Sequence, residues 1–242
     1  MAITQSLKIS EGFTADASSY TTTDSLTAVA NKLYLVCVAS IGVDDAAPTL
    51  THNAATNPLS FTQMTSVEQP NGLGRITTYR AMGTLDSGAG TIGISFPGGT
   101  QSRAAIIVSE FSGVDTSGSN GSGAILQTGI TATDDGTLST VTTTLASLSG
   151  ADNRPWQCSM YQNDNANHTP DSNYIEIAEI QMLTVDELCV ASQWDDDGQD
   201  LTATATYTTG DDKAAIAHEL VALVALSAVS EVKIVHELTF RR

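Results

Sequence analysis

The chain has 242 residues, with 27 Asp plus Glu against 10 Lys plus Arg and a formal net charge of −17. Charged residues are only 15% and apolar ones 41%, so the acidity belongs to a folding chain, long enough to bury on the order of 70% of its unfolded surface. Duplex nucleic acid and anionic membranes are excluded as partners, because both call for clustered cations and only four lysines are present.

Residues 1–19 are polar and acidic, without a basic start or an apolar run. No secretory signal is expected in them, and they read as an N-terminal arm. Ser and Thr form roughly a quarter of the chain, an excess that favours strands and turns. Residues 32–39 are apolar on both faces, as are 104–108, which predicts central strands covered on two sides. Between them, strands are predicted over 61–67, 75–82 and 91–96, the last with Ile92, Ile94 and Phe96 on one face. Four more follow at 156–161, 174–182, 188–194 and 201–207. In the last, Leu201, Ala203, Ala205 and Tyr207 alternate with threonines. Turn signals separate these runs at Asn71-Gly72, 97–99, 134–136 and 210–212. No segment carries a capped helical period. The longest apolar stretch, 220–229, is about half of what a membrane-spanning helix needs.

The chain echoes itself. Residues 96–106 (FPGGTQSRAAI) find a counterpart in 207–216 (YTTGDDKAAI): an aromatic, a tight turn, a cation, then Ala-Ala-Ile. Upstream, the segment ending in Cys37 lines up with the one ending in Cys158, where Pro155 places the strand start at Trp156. Two related halves, about 25–115 and 140–225, therefore form one domain over 20–225, with two small domains as the alternative reading. Residues 226–242 form a C-terminal extension.

The order of residues 31–38 (NKLYLVCV), 75–81 (RITTYRA) and 104–115 (AAIIVSEFSGVD) resembles a jelly-roll module of bacteriophage virion proteins. Related modules occur in some bacterial surface proteins. The resemblance continues through 140–144 and 201–220, and its most specific piece is 110–115 (EFSGVD). It carries packing and turn motifs and no functional residues. Phe61 and Lys213 depart from it, since the module often has Trp at both places. The resemblance implies an all-β fold, a jelly-roll-like β-sandwich of two antiparallel sheets with a C-terminal extension.

Chemistry is sparse. A nucleophile elbow, HExxH, P-loop and dinucleotide fingerprint are all missing, and His52, His168, His218 and His236 lie in unrelated contexts. His218 beside Glu219 could be an acid/base pair, against the plainer reading of a strand histidine. Cys37, Cys158 and Cys189 sit among apolar residues and read as buried free thiols. The acidic run 195–200 (DDDGQD) offers Asp195, Asp197 and Asp200 as weak calcium ligands. It lacks a closing Glu, and a solvated turn explains it equally well. Acidic tips at Asp44-Asp45, Asp134-Asp135 and Asp211-Asp212 would keep sheets from pairing edge to edge. For a glycan, Trp194 is the one good aromatic platform, Trp156 reading as core.

The expected function is a non-enzymatic structural protein of a bacteriophage particle, without a cofactor. It would be a decoration (cement) protein on the capsid exterior, assembled in the host cytoplasm. Its expected partners are the major capsid protein or another virion protein, within a homo-oligomer, a trimer in the first instance. A receptor-binding tail or fibre protein, or a carbohydrate-binding module, is the alternative. After residue 224 the resemblance ends, and the segment holds three of the ten cations beside Val232, Ile234, Leu238 and Phe240. So apolar a stretch is expected to pair as a strand, either with its own sandwich or, as favoured here, with a neighbour's sheet.

Overall fold

The computed structural model describes residues 2–42, 46–133, 139–162, 167–182, 187–198, 200–208 and 212–224. Apart from a 3-10 turn at Ser122–Ala124, the described regular structure is antiparallel β. The first half supplies β1 (Thr4–Phe13), β2 (Ser19–Thr27), β3 (Leu33–Gly42), β4 (Thr49–His52), β5 (Thr62–Glu68), β6 (Gly74–Ala81), β7 (Ala89–Ser95) and β8 (Gln101–Ser112). They form sheet I, ordered β2-β7-β4, and sheet II, ordered β1-β8-β3-β6-β5. The second half supplies β9 (Ile125–Thr133), β10 (Thr140–Thr144), β11 (Arg154–Gln162), β12 (Ile175–Met182), β13 (Leu188–Trp194), β14 (Thr202–Thr206) and β15 (Lys213–Leu220). Sheet III is ordered β9-β15-β11-β13-β12, and sheet IV pairs β10 with β14. Strand for strand, sheet III repeats sheet II. Where the repeat would place a partner like β4, Thr169 makes a single bridge to Thr206.

The expected two-sheet sandwich is thus corrected to four stacked sheets. Side-chain alternation explains why. On β3, Tyr34, Val36 and Val38 pack with Ile92, Ile94 and Phe96 under sheet I. Its other face, with Leu35, Cys37 and Ala39, packs against Trp156, Cys158 and Met160 of sheet III. A smaller cluster of Val141, Tyr161, Cys189, Ala205 and Tyr207 fills the space between sheets III and IV. Strands apolar on both faces are therefore those of the two inner sheets, each covered by its own small sheet and by the other half.

The register shows how the halves correspond. Cys37 lies opposite Ile107 on β8, and Cys158 lies opposite Ile216 on β15. Cys37 and Cys158 lie in the same apolar cluster between the two halves. Ile216 therefore matches Ile107, so aligning the two Ala-Ala-Ile runs puts them one residue out of step. A one-residue slip turns every side chain to the opposite face: Ile106 points to sheet I, whereas Ile216 points to sheet II. Edge strands exchange roles too, β1 lying against β12 and β9 against β5. The two strand exits pair antiparallel through Val114 and Ala222, with Leu223 N–H on Gly113 O and Asp115 N–H on Val221 O, both at 2.8 Å. An approximate two-fold axis thus relates the halves.

Residues expected as an N-terminal arm instead contribute β1, paired with β8 from Thr4 opposite Ser112 to Phe13 opposite Ala104. The edge position hides this strand from its sequence, since within it only Ile9 is fully buried. Strand β11 begins at Arg154 rather than Trp156. Pro155 is tolerated there because β13 ends opposite Trp156, and beyond it Pro155 needs only to accept, its carbonyl taking the Asp195 N–H at 3.1 Å.

Ile106 and Ile107 are both fully buried, in different clusters. Truncating either to Ala is expected to cost about 2–5 kcal/mol in urea melts, from lost burial plus a cavity. A loss below about 0.5 kcal/mol at either position would contradict the double coverage of β8.

Candidate functional site

The acidic run directly follows β13. Asp195 is fully buried, and its carboxylate accepts the backbone N–H groups of Asp197 (3.3 Å), Gly198 (2.7 Å) and Asp200 (2.9 Å). Asp200 accepts from Asn173 Nδ2 at 2.9 Å and from Thr202 N–H at 3.0 Å. The carboxylates that approach one another, within 4.8 Å, are those of Asp195, Asp196 and Asp197. Of the three residues read from the sequence, Asp195 and Asp197 meet there, whereas Asp200 is turned to the neighbouring loop. The chain's own donors thus close this loop around the Asp195 carboxylate.

Trp194, the aromatic singled out for a glycan, is 7% exposed and packs edge-on against Phe111, ring centroids 5.7 Å apart. It belongs to the core between sheets II and III, so that reading is corrected. Trp156 is buried in the same core, its indole N–H donating to Ser192 Oγ at 2.9 Å. The three cysteines are buried and free.

His218 and Glu219 are no acid/base pair, because neighbours on a strand face opposite ways. His218 is completely buried, stacks on Trp156 and bonds Thr78 Oγ1 of sheet II (2.9 Å) and Thr128 Oγ1 of β9 (2.8 Å). Burial, with a smaller push from Arg80, lowers its pKa to about 3, so the ring is neutral. Glu219 faces the other way and takes four hydrogen bonds. They come from Gln127 Nε2 (2.6 Å), Ser149 N–H (2.8 Å), Ser149 Oγ (2.9 Å) and Asn153 Nδ2 (2.6 Å). Burial pushes its carboxyl up, but these donors outweigh burial and hold it below the usual carboxylate value.

Two places carry no sequence signal. Under sheet IV, His168 Nδ1 meets Glu176 at 2.7 Å, and the His168 N–H donates to Glu179 at 2.6 Å. Cys189 points its thiol at Glu179 (3.5 Å); burial first and that carboxylate second raise its pKa far above the ordinary value. So protonated a sulfur is no nucleophile. The second place is a cleft of about 520 Å³ between residues 57–62, 82–85 and 119–120. It is assembled from three loops distant in sequence, which no local pattern reveals.

Val232, Ile234, Leu238 and Phe240 lie outside the described residues, as do Asp44, Asp45, Asp134, Asp135 and Asp211. At the last described position, Val224 is 82% exposed. No protein family, curated protein or solved structure matches the chain.

Chelator is expected to leave the melting temperature unchanged, since backbone donors already satisfy Asp195; a drop of several degrees would make the acidic turn a cation site. Acid should act through His218. The unfolded imidazole gains its proton as pH falls through 6.5, whereas the folded one refuses it until about 3. Stability is therefore expected to decline steadily as pH falls across that window. Urea midpoints measured from pH 7 to pH 3 check this, and the decline should be shallower in His218→Gln.

Proposed function

We propose that the chain is a non-enzymatic structural protein of a bacteriophage particle, a decoration (cement) protein on the capsid exterior. The observation that carries this reading is the strand order. Strands β1-β8-β3-β6 facing β2-β7-β4, repeated in β9-β15-β11-β13 facing β10-β14, support taking each half as a jelly roll, the fold that the sequence resemblance implies. Net charge adds support: an acidic protein suits a surface turned to water, away from packaged DNA that would repel it. The partner is the major capsid protein or another virion protein, and the protein acts as a homo-oligomer, a trimer.

The C-terminal extension supplies the attachment. In each five-stranded sheet the position beside the last strand of the half is filled, by β1 next to β8 and by β9 next to β15. A further strand following β15 finds its repeat-equivalent place already taken by β1. That filled place supports the reading in which Val232, Ile234, Leu238 and Phe240 serve a neighbour, adding to its sheet by strand addition.

Deleting residues 231–242 is expected to leave a folded protein that no longer oligomerises or attaches to particles, read by light scattering and by co-sedimentation with capsids. Unfolding of the truncated chain would assign the segment to its own core, and unchanged assembly would remove its partner role. Copy number in purified particles tests the location: hundreds of copies support capsid decoration, whereas a few per particle mean a tail or fibre.

A further inference from the structure

The 520 Å³ cleft is of the size that small ligands use, and its walls are fixed. Asn120 ties all three together. Its Nδ2 donates to Ser60 O (2.6 Å) and Thr62 Oγ1 (2.8 Å), and its Oδ1 accepts the Met82 N–H (2.8 Å). The residue is left-handed, at φ 51°, between Gly118 and Gly121 at φ 77° and 75°, a backbone few side chains tolerate. The linker joining the two halves is thereby pinned as the third wall. Such a cleft is formed before any ligand arrives.

Its chemistry is neutral. None of the lining residues is charged, in a chain of net charge −17. The nearby carboxylate of Asp86 is turned away to cap the Ala30 N–H at 2.7 Å. An anion would meet no cation there and would be repelled by the protein at large, and a cation would meet no carboxylate. What the cleft offers is hydroxyls from Ser60, Thr84 and Ser119 beside an apolar surface of Leu59, Met82 and Leu85. Leu85 is 61% exposed at the lip, a place where an apolar side chain gains from being covered. Hydroxyl groups next to a C–H face complement a pyranose, which is polar at its rim and apolar on its ring faces.

We propose that this cleft binds a neutral sugar unit, one without carboxylate, sulfate or phosphate. The sugar's hydroxyls meet Ser60, Thr84 and Ser119, and its ring C–H groups cover Leu85. The assignment stands on the cleft alone and does not depend on where the protein assembles.

Saturation-transfer NMR on the full chain tests it, with glucose, galactose, mannose and N-acetylglucosamine as probes and sialic acid and glucose 6-phosphate as charged counterparts. The same neutral sugars at the ends of immobilised oligosaccharides distinguish a free sugar from a glycan terminus as the source. Transfer to at least one neutral sugar is expected. It should fall to background in Thr84→Glu and in Ser60→Glu, two exposed lip positions, with melting temperature unchanged. It should persist in Thr144→Glu on sheet IV, remote from the cleft. Absence of transfer to every neutral sugar overturns the proposal, as does transfer that survives both lip variants or is equally strong for the charged counterparts.

Discussion

Everything in this molecule depends on the apolar face shared by sheets II and III. Leu35, Cys37, Ile107 and Phe111 from one half and Trp156, Cys158, Ile216 and Leu220 from the other form one continuous cluster, larger than the cluster inside either half. Face-to-face sheets pack at about 10 Å, so side chains from both must interdigitate to leave no void. Small residues allow it: Ala39, Ala105 and Ala214 lie beside the bulky ones. On β1, Gly12 lies where an added Cβ would meet Ile180 Cγ2 at 3.0 Å. Neither half could expose this face to water without a large apolar patch, which is why two small sandwiches act as one body.

Several polar groups at that interface are paired across it. Thr78 reaches the neutral ring of His218 from the first half, and Thr128 holds its other nitrogen from the second. Gln69 Nε2 donates to Asp212 O at 2.7 Å, and Asn71 donates to Gln162 and to the Asp212 carboxylate, fastening the end of β5 and the following turn to the second half. Unpaired, the buried ones among them, Gln69 and His218, would cost the desolvation of a buried polar group. They set the register between halves, whereas apolar contacts alone would tolerate sliding. Burial keeps the His218 ring neutral, because a proton on it would lie buried near Arg80.

With both faces of the inner sheets consumed by packing, function is left to loops and edges. The neutral cleft forms where the linker between halves crosses the loops of the first sandwich. The corresponding segments of the second, 170–174 and 200–201, are drawn together by Asn173 and Tyr174 on Asp200. Repetition supplies two equivalent frameworks, and divergence of their loops gives them different surfaces.

Much of this was legible in the sequence. Period two and doubly apolar runs identified most of the strands and the all-β class, because alternation reports directly which face of a strand is covered. The echo of 96–106 in 207–216, with the weaker match of the Cys37 and Cys158 segments, pointed to the repeat. The edge strands β1 and β9 were not visible, since an edge strand buries few side chains and β9 even exposes Ile130. Nor could composition say what covers a doubly apolar strand: a second small sheet and a second half leave the same mark. Trp194 reads as a surface platform beside an acidic turn, and only packing put Phe111 against it. The sequence by itself determined strand faces, turns and charge, which are local matters of side-chain period and solvation. The tertiary structure decided the four-layer stacking, the opposite facing of His218 and Glu219 and the three-loop cleft, because each depends on contacts between residues far apart in the chain.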